Sequence, residues 1–438
     1  MSKKQSNVKT ATNIIGYTFA KKKGGISEYT LKSNGLTVLY KHIKGTDVVT
    51  SNITYKVGAR DEDKGESGVA HMLEHMLFKP TTQDLKRKVD SGAMQFERDT
   101  GCILNANTWK DRTTYFFNYP VEHFHQALQV ESERMQDVVL TDKEFLPERN
   151  NVLSEFDMNN GDPYFALSVQ MVCTAFQSHP YGHETIGFRE DIESYTPKKL
   201  DRFYKHYYRP DNSTLTIVGD MPLTEVLMSV KKQFGSLTNP TTPIPRHTIN
   251  EPKQEGIRRV EIQRPSSTNI LSLGVKHAGF PSKQWFATSL LFSVLTGGPD
   301  SILHKKLIDQ GLASSVDGMI EPTSETNLGM LFVTLAPKAT HIEIEKLVLK
   351  TINELTSKDI AKLLRKTIQA ERTATLFGQG SSLKIAMDLT EYIAADSWQT
   401  YTKTEQILNS VTPKDLIDLK NRLFDTTQMT IGYFIGKN

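Results

Sequence analysis

His71-Met72-Leu73-Glu74-His75 sets two imidazoles four residues apart, with a carboxylate three after the first. On an α-helix, positions i, i+3 and i+4 are neighbours, with Cβ atoms roughly 5–6 Å apart. Read as a helix, the stretch stacks His71, Glu74 and His75 on one stripe. Two neutral imidazoles so placed grip one metal ion. Zinc accepts such ligands and, in catalytic sites, keeps one position for water. A carboxylate beside that water can take its proton. The order H-x-x-E-H is the reverse of the commoner H-E-x-x-H.

Working outward, Val69, Ala70, Met72, Leu73, Met76, Leu77 and Phe78 make the helix apolar on nearly all its other faces. Such a helix is buried, and buried polar groups need a partner or a metal. Asp61, Glu62, Asp63 and Glu66 precede it, where negative charge suits a helix N-terminus. Two histidines leave a metal short of protein ligands. Glu148 and Glu155 lie seven residues apart, close to two helical turns, so both face one way. One can ligate while the other orients a histidine through its free ring nitrogen.

Further motifs stand in order around this stretch. Leu31, Asn34, Gly35, Leu36 and Val38 precede Gly58, Arg60 and Glu62, which lead into Gly68 and His71–Phe78. Asn105, Ala106, Thr108, Asp111, Thr113 and Tyr115 follow the pattern N-A-x-T-x-x-D-x-T-x-Y, and Glu133, Arg134 and Met135 come before Glu148–Glu155. His179–Gly182 and Tyr208–Asn212 through Gly219-Asp220 close the run. Over about residues 29–220 the chain resembles the pitrilysin/insulinase-type zinc metallopeptidases, the inverzincins. It is most similar to their short two-domain bacterial members, relatives of the mitochondrial processing peptidase subunits. The resemblance implies that His71, His75 and Glu155 hold one zinc ion, that Glu74 is the general base and that Glu148 stands behind a ligand. It also implies that Asn105 and Ala106 lie on an edge strand that receives the substrate backbone. The activity implied is endopeptidase cleavage of short or unfolded peptides inside a clamshell chamber.

The chain repeats itself. Ser194, Thr196, Pro197, Lys198 and Leu200 recur as Ser410, Thr412, Pro413, Lys414 and Leu416, an offset of 216 residues in a chain of 438. Both copies place Thr as a helix cap and Pro at the first helical position, and a strand follows each. Strands are expected at Val48–Val57, Thr113–Asn118 and Thr214–Val218, and helices at Val69–Phe78, Phe124–Val138, Glu148–Met158 and Pro197–His206. The fold class is therefore α+β, two similar domains, each a mostly antiparallel sheet with helices packed on one side. The expected division is a basic flexible tail over 1–28, a zinc-binding domain over 29–236, a Pro-rich linker over 237–256 and a second domain without metal over 257–438.

Composition narrows the class. Lys plus Arg total 53 against 50 Asp plus Glu, no signature of a nucleic-acid binder. Cys102 and Cys173 are too few for a disulfide framework. No apolar run approaches the ~20 residues of a membrane span. The N-terminal stretch carries Lys3, Lys4, Lys9 and Lys21–Lys23 without an apolar core, which reads as a cytoplasmic protein rather than a secreted one. A periplasmic or organellar location follows instead if a targeting segment has been removed. His123 and His125 diverge on a helix, and His179 and His183 flank Pro180 and Gly182 in a turn, so neither pair is expected to bind metal.

The second half departs from the family. Its members supply an Arg and a Tyr from this half, within the segment 303–316. Here Ser314 stands at the Tyr position, and no Arg or Tyr occurs from Pro265 to Leu364. Lys305 or Lys306 offers a cation but not a planar fork. A dimer is expected, with a related subunit supplying the missing pair favoured over a homodimer. The alternative function is a non-catalytic peptide-binding or assembly subunit of a paired peptidase.

Overall fold

A computed structural model describes residues 14–437. The first half contributes β1 (Tyr17–Lys23), β2 (Ile26–Leu31), β3 (Thr37–His42), β4 (Val48–Tyr55), β5 (Ile103–Thr108), β6 (Thr113–Pro120) and β7 (Ser213–Gly219). They form one sheet in the order β1-β2-β3-β7-β4-β6-β5, antiparallel except at β3·β7. The second half contributes β8 (Arg258–Pro265), β9 (Ile270–His277), β10 (Ala313–Met319), β11 (Asn327–Leu335) and β12 (Met429–Lys437). Their order is β10-β11-β9-β12-β8, with β12·β8 the parallel pair. Read from the parallel pair outward, the two orders coincide, as an internal duplication requires. The twin caps hold as well. Thr196 accepts from the Lys199 amide at the start of the Pro197–Tyr207 helix, and Thr412 from the Asp415 amide at the start of Pro413–Leu423.

The flexible tail expected over 1–28 does not hold for residues 17–28. Residues 1–13 lie outside the described residues, but β1 and the start of β2 form a hairpin on the sheet edge. Lysines had masked the strand signal: Tyr17 and Ile26 are buried while Lys21 and Lys22 remain exposed beside them. Residues 32–36 form the turn from β2 into β3, tied down by Asn34 Nδ2 donating to the Phe234 carbonyl at 2.7 Å. Residues 238–257 carry no helix or strand. Among the described residues no helix is long and apolar enough to cross a membrane.

Each sheet packs the helices of its own half on one face and receives a single helix from the other half on the opposite face. The Pro163–Ala175 helix crosses to the second sheet, where Leu167, Met171 and Phe176 cluster with Ile270, Leu328, Phe332 and Phe434. A Cβ on Gly432 would sit 2.5 Å from Met171 Sδ, so a larger residue there would force the Met171 side chain to shift. In return the Ser382–Ala394 helix lies on β4, β7 and β6 of the first sheet. That face is polar around β4 and β6: Thr50, Asn52, Thr54 and Thr114 are all fully buried. Thr50 donates to Ser382 Oγ at 2.9 Å, as does Asn118 Nδ2 at 3.1 Å. Ile26, Leu39 and Val218 extend the contact with apolar surface joined to the second core.

Candidate metal centre

The Val69–Met76 helix starts at Gly68, whose φ of 90° is left-handed; a Cβ there would lie 2.3 Å from the Ile186 carbonyl oxygen. Its first amides are capped by a distant side chain. Glu62 accepts from the Gly68 amide at 2.8 Å and from the Ala70 amide at 2.9 Å, as a carboxylate at a helix N-terminus should. Val69, Ala70, Met72, Leu73 and Met76 are fully buried in the first core. Their burial leaves the His71–Glu74–His75 stripe facing the Asp142–Gly161 helix.

There the ligand atoms of His71, His75 and Glu155 all lie within 4.8 Å of one another. Glu155 Oε2 is 3.8 Å from His71 Nε2 and 3.6 Å from His75 Nε2. The two rings meet edge to face, with centroids 4.7 Å apart. Glu148, left open against Glu155 by spacing alone, contacts His75 Nδ1 at 2.9 Å instead. This partner fixes the ring so that Nε2 turns toward Glu155. Glu148 is itself held by Lys79 and by Asn151 Nδ2 at 3.3 Å.

The electrostatics follow from burial and these partners. Burial pulls the His71 pKa down to about 4, so this ring stays neutral, as a ligand must be. Burial also opposes charge on His75, but its hydrogen bonds with Glu148 and Glu155 win and lift it to about 9. Burial would raise Glu148, yet His75 and Lys79 hold it down at about 2. His71 Nδ1 is buried with no hydrogen-bond partner among the described residues. Glu74 is buried, which raises its pKa, and accepts from Thr108 Oγ1 at 2.5 Å through Oε2. Two imidazole nitrogens and one carboxylate oxygen make a borderline donor set with room for a further ligand, which suits zinc in a catalytic setting.

Asn105 and Ala106 lie on β5, which ends the sheet and, among the described residues, pairs only with β6. Asn105 is exposed, and its Oδ1 accepts from the Ala106 amide at 2.8 Å. Thr108, two residues on, was quoted in the sequence motif without a role; its contact with Glu74 gives it one. Lys79 was not singled out, though it lies four residues after His75. His183 and His179 each face a carboxylate, Glu62 at 2.8 Å and Glu325 at 2.9 Å. His123 packs on Phe96, and His125 meets Ser229 at 3.1 Å. Lys305 lies 3.4 Å from Asp300, and both Lys305 and Lys306 line a groove formed by second-half residues alone.

A two-domain α+β chain with an inverted histidine pair beside a distant glutamate defines a class of metallopeptidase. Comparison with known proteins names it. Residues 37–188 match the model described as Insulinase (Peptidase family M16), and residues 194–370 match Peptidase M16 inactive domain. The chain belongs to the M16 peptidase family. It is 30% identical over 407 residues to the zinc protease PqqE of Helicobacter pylori, covering 92% of this chain and 90% of that one. A crystal structure of a protease from Helicobacter pylori superposes with a TM-score of 0.88 at 28% identity, covering 94% of this chain and all of that one. A probable mitochondrial-processing peptidase subunit beta of Arabidopsis thaliana is 28% identical over 219 residues, covering 50% of this chain and 40% of that protein.

Proposed function

We propose that the chain is a zinc metalloendopeptidase that cleaves short or unfolded peptides between its two halves. The observation that carries this is the convergence of His71, His75 and Glu155 within 4.8 Å, beside a buried Glu74. Zinc, when bound there, supplies a Lewis acid that polarises a carbonyl and lowers the pKa of water. The remaining work falls to the chain's own groups. Thr108 engages Glu74 Oε2, so Oε1 is the oxygen that takes the proton of the attacking water. Burial raises the Glu74 pKa, which helps it hold that proton and deliver it to the leaving amine nitrogen. The free edge of β5 pairs with the substrate backbone as an added strand, displacing Asn105 Oδ1 from the Ala106 amide.

The test separates metal from base. Metal analysis should find one zinc per chain, and His71→Ala should lose it. Glu74→Gln should keep zinc while peptide cleavage falls about 10²–10⁴-fold. Cleavage at the wild-type rate by Glu74→Gln would refute the assignment.

A second reading, a subunit working in a pair, is favoured by one observation. The second half has no Arg or Tyr from Pro265 to Leu364, and Ser314 is exposed on β10. On this reading a related subunit brings those groups, and the chain alone binds zinc and peptide but turns over only in the mixture. Full activity of the pure chain excludes it.

A further inference from the structure

A cleft of about 830 Å³ opens between the halves, on the face of the first sheet opposite the metal helix. Strand geometry puts it next to the substrate edge. Along β5, Ala106 is buried in the first core and Thr108 meets Glu74, so even-numbered residues face the metal helix. Odd-numbered residues face the other way, and Asn107 and Trp109 line the cleft. The Ser382–Ala394 helix covers β4, β7 and β6 and also walls the cleft through Lys384, Asp388 and Glu391, with Asn107 as the β5 residue on its lining.

Its far wall is aromatic and belongs to the second half. Trp285 packs on Phe280 at 4.8 Å between ring centroids, Phe280 on Tyr392 at 4.6 Å, and Tyr392 on Tyr401 at 5.6 Å. Most charges around this wall are paired. Arg112 Nε donates to Glu391 at 2.9 Å, Lys384 pairs with Asp388, and Glu405 lies 2.9 Å from Arg372. Lys41 donates to the Gly24 carbonyl at 2.9 Å. Phe280 and Tyr392 are buried behind this wall, so the ring surface open to a ligand comes from Trp109, Trp285 and Tyr401, beside the polar Asn107, Thr375 and Gln379.

A peptide added to β5 alternates its side chains between the two sheet faces. Residues on one face meet the metal triad; their immediate neighbours in the strand point into the aromatic cleft. We propose that this cleft is a specificity pocket for an aromatic side chain of the peptide, next to a residue that faces the metal. The inference rests on the peptidase reading for its substrate class, but its pocket can be tested without turnover. Ring stacking against such a wall favours Phe, Tyr or Trp over small or charged side chains.

The experiment uses the full chain carrying Glu74→Gln and dye-labelled unstructured peptides, identical except for Phe, Ala or Asp at one swept position. Anisotropy should show the Phe peptide binding about tenfold tighter than Ala, at positions that alternate along the peptide. Thr375→Arg, at an exposed position on the cleft wall, should abolish that difference without changing the Ala peptide's affinity. Trp285→Ala should shrink it in the same direction. Equal binding of Phe and Ala peptides, or a preference that survives Thr375→Arg, overturns the proposal. Cleavage by the wild-type chain is scored separately. Preference without cleavage sinks the reading of the chain as a peptidase on its own and leaves the pocket; cleavage without preference does the reverse.

Discussion

The two halves exchange one helix each, and the surfaces that receive those helices differ in kind. The second sheet presents Ile270, Leu328, Met330, Phe332 and Phe434 to the Pro163–Ala175 helix. The first sheet presents Thr50, Asn52, Thr54, Thr114 and Asn118 to the Ser382–Ala394 helix, supplemented at β2, β3 and β7 by Ile26, Leu39 and Val218. Apolar burial is non-directional and grows with area, whereas a hydroxyl ladder gains little net energy but is costly to leave half-made. One contact therefore supplies adhesion and the other supplies register. The register contact lies beside β5, where the substrate edge, the metal site and the aromatic cleft meet. The chemistry is likewise lopsided: both halves repeat the strand order, but only the first has the inverted histidine pair.

This contrast can be broken in four places. Met171→Ala empties the apolar contact and should cost about 2–5 kcal/mol in denaturant unfolding; a cost below that of a surface change would deny the adhesive role. Glu148→Ala removes the acceptor beside His75 and should weaken zinc affinity about 10–100-fold, read by chelator competition. Undiminished affinity there would mean that the contact does not position the ring. Ser382→Ala strips the shared hydroxyl from the polar contact. It should cost about 1–2 kcal/mol, well short of the Met171 effect. An equal or larger loss would erase the distinction between the two interfaces.

The smallest effect concerns Glu251, between the halves. It accepts from the amides of Gln177, Ser178 and His179 at 3.0–3.1 Å and lies 3.2 Å from Lys276 on β9. Burial would raise its pKa, but those amides and Lys276 hold it at about 2, below its ordinary 4.5. A carboxylate depressed in the folded state contributes stability above its unfolded pKa, and loses that contribution as pH falls toward the folded value. Glu251→Gln should therefore cost about 1 kcal/mol near neutrality. The gap from wild type should close between pH 4.5 and about 2. A gap independent of pH would assign the effect to packing instead.

Much of the site was legible in the chain itself. The i, i+3, i+4 stripe at residues 71–75, the paired glutamates at 148 and 155 and the twin Thr-Pro caps each follow from helical geometry within a few residues. The basic N-terminal hairpin was misread because lysines on an exposed strand face look like a solvated tail. Which glutamate reaches the ligand side of the imidazoles depended on how two helices cross, and spacing could not decide it. The polar alternation of β4 reads as a solvent face, and it is buried only because a helix some 330 residues away covers it, as the Thr50–Ser382 separation of 332 shows. Local periodicity fixes what shares a face. What covers that face is set by packing between distant segments, and so the cleft beside β5 exists only in the folded chain.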